Sequence, residues 1–287
     1  MALVESLQKA IDYMEEHILD QITIEGIAEQ ANVSPYHFQR IFMILTDRSV
    51  GEYLRRRRLT LAAQELSSTR CKIIDIAYKY GYDTPESFSK AFRKQHGVTP
   101  REMRNGVGKM KAYNRLVIQV NLKGAEPMNY RIVERDAFQV VGVKRVVPCS
   151  EEGRSPARGI AQFWGEVNGN GTVHQLIGHM DGDIQGLLGI TGDYDEEKNV
   201  IDYWIGVESR GEGSDEFSRI DISASKWAVF EVRGPVPDAV TQTWKKIYSE
   251  WFPSNNFDHT GSASLEVYKD ADPTKPDAYS EIWVPIK

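Results

Sequence analysis

Apolar positions along the chain follow two different periods. Over roughly the first hundred residues they recur every three or four positions, which marks amphipathic helices. Leu3, Leu7, Ala10, Ile11, Met14 and Ile18 would share one face of an opening helix. Ile24, Ile27 and Ala28 predict a short helix through Ala31, with Thr23 as its cap. Asn32-Val33 then makes a turn, and Ser34-Pro35 supplies an N-cap followed by proline at the first helical position. The next helix should bury Phe38, Ile41, Phe42 and Leu45 and turn Tyr36, His37, Gln39 and Arg40 outward on its early part. A longer helix from about Val50 to Leu66 leads to Ile73, Ile76 and Ala77, a turn at Gly81, and a further helix opening at Thr84-Pro85. There Phe88, Ala91 and Phe92 face inward, and Thr84, Glu86, Ser87, Lys90 and Arg93 remain outside.

Both turn-flanked helix pairs are versions of one unit. Phe38 and Phe42 return as Phe88 and Phe92, Ile27-Ala28 as Ile76-Ala77, and Glu52 as Glu102. Two helix-turn-helix units in tandem suggest two reading heads for adjacent turns of a duplex.

From Met128 the pattern changes to strands, and a second repeat appears. Arg131-Ile132 leading to Phe138, Val140 and Val141 is answered by Arg219-Ile220 leading to Trp227, Val229 and Phe230. Each copy continues into an amphipathic helix and a hairpin. The first hairpin is Leu188 to Ile190 with Asp202 to Val207, and the second is Leu265 to Tyr268 with Tyr279 to Ile286. Between the halves, Gly106, Gly108, Gly124 and Pro127 bracket Leu116, Ile118, Val120 and Leu122, an alternation that reads as a strand or an ordered linker. The expected architecture is multidomain. An all-α double helix-turn-helix (homeodomain-like) domain over 1–108 and a linker over 109–127 precede an α+β domain over 128–287. That last domain holds two pseudo-twofold-related strand–helix–strand–strand repeats with a cleft between them.

Charge sharpens the division. The whole chain carries −6, but residues 1–115 hold 18 basic and 14 acidic side chains, and the remainder is at −10. Residues 48–115 alone reach +10. A basic block beside an acidic one suits a nucleic-acid-binding head joined to something else. No apolar run approaches the ~20 residues of a membrane span, and the N-terminus lacks the stages of a signal peptide, so a cytoplasmic protein is expected. Cys71 and Cys149 have no partner spacing, and no ligand set for a metal stands out. No cofactor is expected.

The candidate chemistry follows from these placements. Gln39 can pair with adenine and Arg40 with guanine, each through two hydrogen bonds, with Tyr36 and His37 near enough to help. The second reading helix offers Thr84, Glu86, Ser87, Lys90 and Arg93, which suit backbone contact more than discrimination. Arg55 to Arg58 resemble a phosphate-binding run, yet four consecutive helical residues point around the whole circumference. One or two, Arg55 among them, are expected on phosphate and the others on Glu52 or Glu65. In the second half, Glu266 and Tyr268 share one strand face and Glu281 and Trp283 share another, with Leu265, Val267, Ile282 and Val284 facing the opposite layer. A carboxylate beside aromatic rings attracts an organic cation, with ~0.5–2 kcal/mol from each well-placed ring. Phe163, Trp164, Tyr203, Trp204 and Trp227 are further candidate walls, set against plain core packing.

The segments SPYHFQRIF, RSVGEYLRRRRLTLAAQEL and DIAYKYGYDTPESFSKAFRKQHGVTPREMR, in that order, resemble the DNA-binding domain of AraC/XylS-type transcription regulators over residues 5–105. The resemblance implies a gene regulator bound to promoter DNA, activation rather than repression, and contact with RNA polymerase. The second half, from MNYRIVERDAFQVVGV to YSEIWVPIK, resembles the GyrI-like effector-binding domain of some drug-responsive regulators. That resemblance implies a small, often cationic and aromatic effector in the cleft between the repeats, against a glutamate and aromatic side chains. It makes Glu266 and Glu281 the leading carboxylates without deciding between them. Some GyrI-like relatives are hydrolases, so a cleft glutamate acting as general base is the alternative to sensing. A ligand-free interaction module is another.

Overall fold

The computed structural model describes residues 2–118, 127–148, 156–195, 198, 200–211 and 216–287, and its chain divides into two compact units. The helices, in chain order, are α1 (Ala2–Glu16), α2 (Ile24–Gln30), α3 (Pro35–Thr46), α4 (Val50–Ser68), α5 (Ile73–Lys79), α6 (Pro85–His96) and α7 (Pro100–Arg104), and one unit holds all of them except residues 40–47 of α3 and the turn after it, which are grouped with the other. Local signals set their ends. Thr23 accepts from the Gly26 amide, Ser34 from His37, Ser49 from Glu52 and Thr84 from Ser87, each satisfying an amide the helix itself leaves orphaned. Thr99 and Glu102 close a reciprocal capping box.

The repeat extends to the backbone. Asn32 and Gly81, at the two helix-turn-helix turns, both adopt left-handed φ (54° and 82°), as do Asp47 and Gly97 (56° and 79°) after the two reading helices. The copies differ by one residue. Pro35 follows Asn32 by three positions, whereas Pro85 follows Gly81 by four. Helix α4 joins the copies by burying Leu59, Ala62, Ala63 and Leu66 against Ile76, Ala77, Phe88, Phe92 and Met103.

The stretch expected as strand or linker is something else as far as it is described. Residues 111–118 run extended over the helices without forming a ladder. Their amides donate to side chains instead: Lys111 to His96 Nδ1 (3.2 Å), Tyr113 to Thr60 Oγ1 (3.1 Å), Leu116 to Tyr53 Oη (3.2 Å) and Ile118 to Gln8 Oε1 (2.9 Å). Arg115 adds an ion pair with Asp12. This strap is therefore part of the helical unit. Val120 and Leu122, the rest of the predicted alternation, lie outside the described residues, as does Cys149.

The other unit holds eight strands: β1 (Tyr130–Arg135), β2 (Phe138–Pro148), β3 (Leu187–Asp195), β4 (Val200–Glu208), β5 (Ser218–Ile222), β6 (Ser225–Arg233), β7 (Ser264–Tyr268) and β8 (Tyr279–Ile286). All neighbours are antiparallel, in the order β1-β6-β8-β7-β3-β4-β2-β5. The order is palindromic about the β7–β3 pair, as two related repeats require, but each repeat gives its first strand to the other's edge. Only Asp136 and Ala137 separate β1 from β2, although these stand first and seventh across the sheet. Arg135 on β1 also reaches Glu208 on β4 at 2.9 Å, across five inter-strand steps, or about 24 Å if the sheet were flat. The sheet must therefore curl on itself. Its inner face is a closed core of Trp204, Trp227, Trp283, Leu188, Ile190, Leu265 and Val267. The outer face carries α8 (Pro156–Gly169) and α10 (Asp238–Lys246), which a π turn over Ile247–Trp251 prolongs. A short α9 (Thr172–Ile177) follows α8.

His96 is 4% exposed, and the Lys111 amide fixes its Nδ1 as an acceptor, so only the neutral ring with the proton on Nε2, near the Leu59 carbonyl, satisfies both sides. Burial pushes its pKa below the usual range, and the Lys111 charge adds to this against the pull of the Leu59 carbonyl. Below about pH 6.5 the unfolded chain takes up a proton that the folded ring refuses, so stability should be complete above that pH and fall as pH drops. Denaturation between pH 7.5 and 5.5 should show this slope, flattened in His96→Leu. An equal slope in the variant would assign it elsewhere.

Candidate DNA-reading helices and ligand-binding face

The two reading helices present unequal surfaces. On α6, Thr84, Glu86, Ser87, Lys90, Arg93 and Lys94 are all exposed, above the buried Phe88 and Phe92. On α3, Tyr36, Gln39 and Arg40 are half-buried and His37 is buried at 5%. His37 thus does not belong to an outward face. It precedes Ile41 by one helical turn and falls on the same inward stripe.

The arginine run is mostly structural. Arg57 forms a fork with Glu15 (Nε to Oε1 2.7 Å, Nη2 to Oε2 2.6 Å) and donates to the Tyr113 carbonyl at 2.7 Å. Burial would raise the Glu15 carboxyl, but the bonds from Arg57 and Tyr53 outweigh it and hold the group below its usual range. Arg58 donates to the carbonyls of Ile18 and Asp20, and Arg56 pairs with Glu52 as expected. Glu65, the other expected partner, takes Lys79 and Tyr80 instead. Arg55 is half-buried.

The strand register separates the two candidate carboxylates. Across β7 and β8, Val267 pairs with Glu281 and Leu265 with Trp283, whereas Glu266 pairs with Ile282. Directly paired residues share a face, so Glu281 and Trp283 lie inside the curl with Leu265 and Val267, while Glu266 and Tyr268 lie outside with Ile282. The four intervening residues do not form one opposite layer. Glu281 is 2% exposed and fully engaged. Its Oε1 accepts from Arg131 (3.0 Å), Lys269 (2.8 Å) and Tyr279 (2.9 Å), and its Oε2 from Trp283 Nε1 (2.9 Å). Burial works to raise its pKa, but these bonds, Lys269 first, hold it below the usual carboxylate range. Trp204, Trp227 and Trp283 are core side chains, with the Trp227 and Trp283 rings 6.1 Å apart.

Glu266 has a different setting. It is half-buried on the helix side, where Oε1 accepts from Trp244 Nε1 (2.8 Å) and Oε2 from Tyr268 Oη (2.7 Å), with no cation paired to it among the described residues. The Trp164 ring stands edge-on to Tyr268 at 5.1 Å, and its Nε1 donates to Tyr203 Oη at 3.0 Å. Burial, then the neighbouring Glu266 charge, pushes the Tyr268 hydroxyl well above its ordinary pKa, so it remains a donor. Glu266 pairs across β3–β7 with Gly189, where a Cβ would come within 2.3 Å of Tyr203 Oη. Phe163 lies apart, beneath the Arg145 guanidinium at 4.2 Å. Trp244 and Gly189 are the members of this cluster that sequence reasoning missed. Trp244 sits at helical spacing with Ile247, Tyr248 and Trp251, which reads as core, and a strand glycine gives no chemical signal.

A match to the GyrI-like small molecule binding domain spans residues 128–287. The chain belongs to the GyrI-like family. The N-terminal part of this GyrI-like protein matches a helix-turn-helix domain over residues 27–106, of the AraC type. Over 99 residues it is 38% identical to the regulatory protein SoxS of Escherichia coli (strain K12), covering 34% of this chain and 92% of SoxS. The transcriptional activator AarP of Providencia stuartii is 34% identical over 94 residues, covering 33% and 70%. The right origin-binding protein of Escherichia coli (strain K12) is 30% identical over 162 residues, covering 55% of each chain. Among solved structures, SAV2435 bound to tetraphenylphosphonium gives a TM-score of 0.49 at 28% identity, covering 56% of this chain and 94% of that one. The GyrI-like protein described here is thus a DNA-binding transcription regulator with a small-molecule-binding domain. No helix among its described residues is long and apolar enough to cross a membrane.

Within this GyrI-like regulator, Arg57→Ala would strand Glu15 in its half-buried site, a loss of about 3–5 kcal/mol for a broken buried pair. Chemical denaturation should show that loss, and the salt dependence of DNA binding should stay unchanged. A shallower salt dependence with intact stability would return Arg57 to the phosphate-contact class.

Proposed function

We propose that the effector is an amphipathic organic cation held at Glu266 on the helix side of the sheet, and that it modulates binding to a non-palindromic promoter site. The observation that carries this is the contrast between the two carboxylates. Glu281 is neutralised by Arg131 and Lys269. Glu266 is oriented by two neutral donors, Trp244 and Tyr268, with no cation paired to it among the described residues. The rings of Trp164, Tyr203 and Tyr268 around it suit an aromatic or alkyl-substituted cation, by dispersion and by cation–π attraction. We read this as sensing rather than turnover, in keeping with the regulators SoxS and AarP. Activation through contact with RNA polymerase accords with AarP being an activator.

In the DNA-binding unit, Gln39 and Arg40 are the proposed base readers on α3, with Tyr36 and Arg55 nearby. The exposed Thr84, Glu86, Ser87, Lys90 and Arg93 of α6 are the proposed anchors on the next turn of the duplex. Two unequal heads on one chain favour an asymmetric site. With sites selected from a random duplex pool, alanine at both Gln39 and Arg40 should lower discrimination by about 1–3 kcal/mol for each bidentate base pairing removed. An unchanged footprint would remove α3 from base reading.

For the effector, binding of a benzyl-substituted quaternary ammonium can be compared with binding of its neutral carbon isostere, by tryptophan fluorescence of the full chain. The cation should bind at least about tenfold tighter, equivalent to about 1.4 kcal/mol. Glu266→Gln should erase that preference and Glu281→Gln should leave it. Equal affinity for cation and isostere in the unaltered protein would refute the assignment, and consumption of the ligand would mark hydrolysis instead.

A further inference from the structure

The two repeats of the sheet carry matching positions around their seam, and the contents differ in a reciprocal way. Gly189 and Glu266 pair across β3–β7, and each pairs on its other side with an isoleucine, Ile205 or Ile282. Two residues further along β3 and β7, Thr191 pairs with Tyr203 and Tyr268 pairs with Ser280. The helices match as well: Ile160, Trp164 and Val167 on α8 have the spacing of Val240, Trp244 and Ile247. Each half thus brings a tyrosine from its hairpin and a tryptophan from its helix to one side of the sheet. The tyrosines, however, stand on opposite strands of their hairpins.

That exchange decides what each indole meets. The hydroxyl of the buried Tyr203 lies over the bare backbone of Gly189, where an added Cβ would strike it. Trp164 Nε1 donates to this neutral oxygen at 3.0 Å. In the other half the small Ser280 stands at the position matching Tyr203, and position 266 carries a side chain. There Trp244 Nε1 donates to the Glu266 carboxylate at 2.8 Å, and Tyr268 Oη donates to it at 2.7 Å. A carboxylate accepts along about four lone-pair directions, and these two donors are uncharged. The seam is therefore flanked by two like halves, one anionic and one neutral. A positive charge on the Glu266 side meets a carboxylate. One on the Gly189 side would give up hydration to a hydroxyl and a glycine backbone, with no opposite charge in return. The rings of Tyr203 and Trp164 suit an uncharged aromatic or alkyl group instead.

We propose that Gly189 and Tyr203 are specificity-determining residues that limit the effector to one positive charge. The site then takes a cation with an uncharged aromatic or alkyl end and rejects a dication of the same shape. The inference rests on Glu266 being the cation's partner, and adds which side of the seam excludes a second charge.

The test uses the full chain, titration calorimetry and two probes of one shape. The dication is p-xylylene-bis(trimethylammonium), and the monocation has carbon in place of one of its nitrogens. The monocation should bind at least about tenfold tighter. Any apolar site would also favour the monocation, so a variant decides. Gly189→Glu together with Tyr203→Ser gives the Gly189 side the residue types found at 266 and 280. In that variant the preference for the monocation should shrink by at least about tenfold. If thermal denaturation shows the double variant to be unfolded, Gly189→Ala takes its place, because a Cβ there displaces the Tyr203 hydroxyl. The monocation should then lose at least about tenfold in affinity, and tetramethylammonium, which needs only Glu266, less than about twofold. Equal affinity for the two probes in the unaltered protein overturns the inference. So does an unchanged preference in the folded double variant, or an equal loss for both ligands in Gly189→Ala. Those outcomes leave the Glu266 reading in place as long as a cation binds tighter than its neutral isostere. An unaltered protein without that advantage overturns the Glu266 reading and this inference together.

Discussion

Two residues, Asp136 and Ala137, connect a strand at one edge of the sheet to a strand next to the other edge, and Ser223 and Ala224 do the same between β5 and β6. A flat eight-stranded sheet cannot accommodate either link, so the sheet curls and acquires an inside and an outside with different chemistry. Inside, buried tryptophan and aliphatic side chains pack together, and a carboxylate there has its charge matched. Glu281 has Arg131 and Lys269, and Glu208 has Arg135. Outside, between sheet and helices, the half-buried Glu266 accepts from the neutral donors Trp244 and Tyr268, with no cation paired to it among the described residues. The closure of the sheet therefore decides which glutamate is enclosed with cations and which faces the helices.

That decision was not legible from the sequence, although the strands were. Alternation places Glu266 with Tyr268 and Glu281 with Trp283, and the hairpin bounds read from the sequence agree closely with β7 and β8. Alternation within a strand does not give the register between strands, and a shift of one residue moves a whole face to the other side. The three core tryptophans were read as possible ligand walls for the same reason. By contrast, the helical half was largely legible because its signals are local: Thr23, Ser34 and Thr84 announce helix starts within three residues. His37 was misplaced because the face of one side chain near a helix start depends on what packs there, not on periodicity alone.

The strap shows the opposite limit. Four of its amides bind side chains from α1, α4 and α6 that are distant in sequence, and no repeating pattern marks such pairings. The arginine run was read correctly as unable to face DNA all at once. What the sequence does not reveal is how the internal roles are filled: Arg57 clasps α1 through Glu15, and Arg58 closes the chain after α1. A compositional cluster that resembles a phosphate-binding run is thus largely a clamp that holds α1, α4 and the strap as one body.

Both halves of the chain are duplicated, and in both the copies differ in the side chains they carry. Conserving backbone geometry keeps the fold, as the paired left-handed residues Asn32 with Gly81 and Asp47 with Gly97 show. Helices α3 and α6 then diverge in charge and in the length of the turn before them. The sheet breaks its symmetry more sharply. At its centre the two repeats meet through β3 and β7, and there Glu266 faces Gly189. A second carboxylate at that position would place two like charges against each other across paired strands, and any side chain there would collide with Tyr203. At this seam a carboxylate on one copy is therefore matched by a bare backbone on the other.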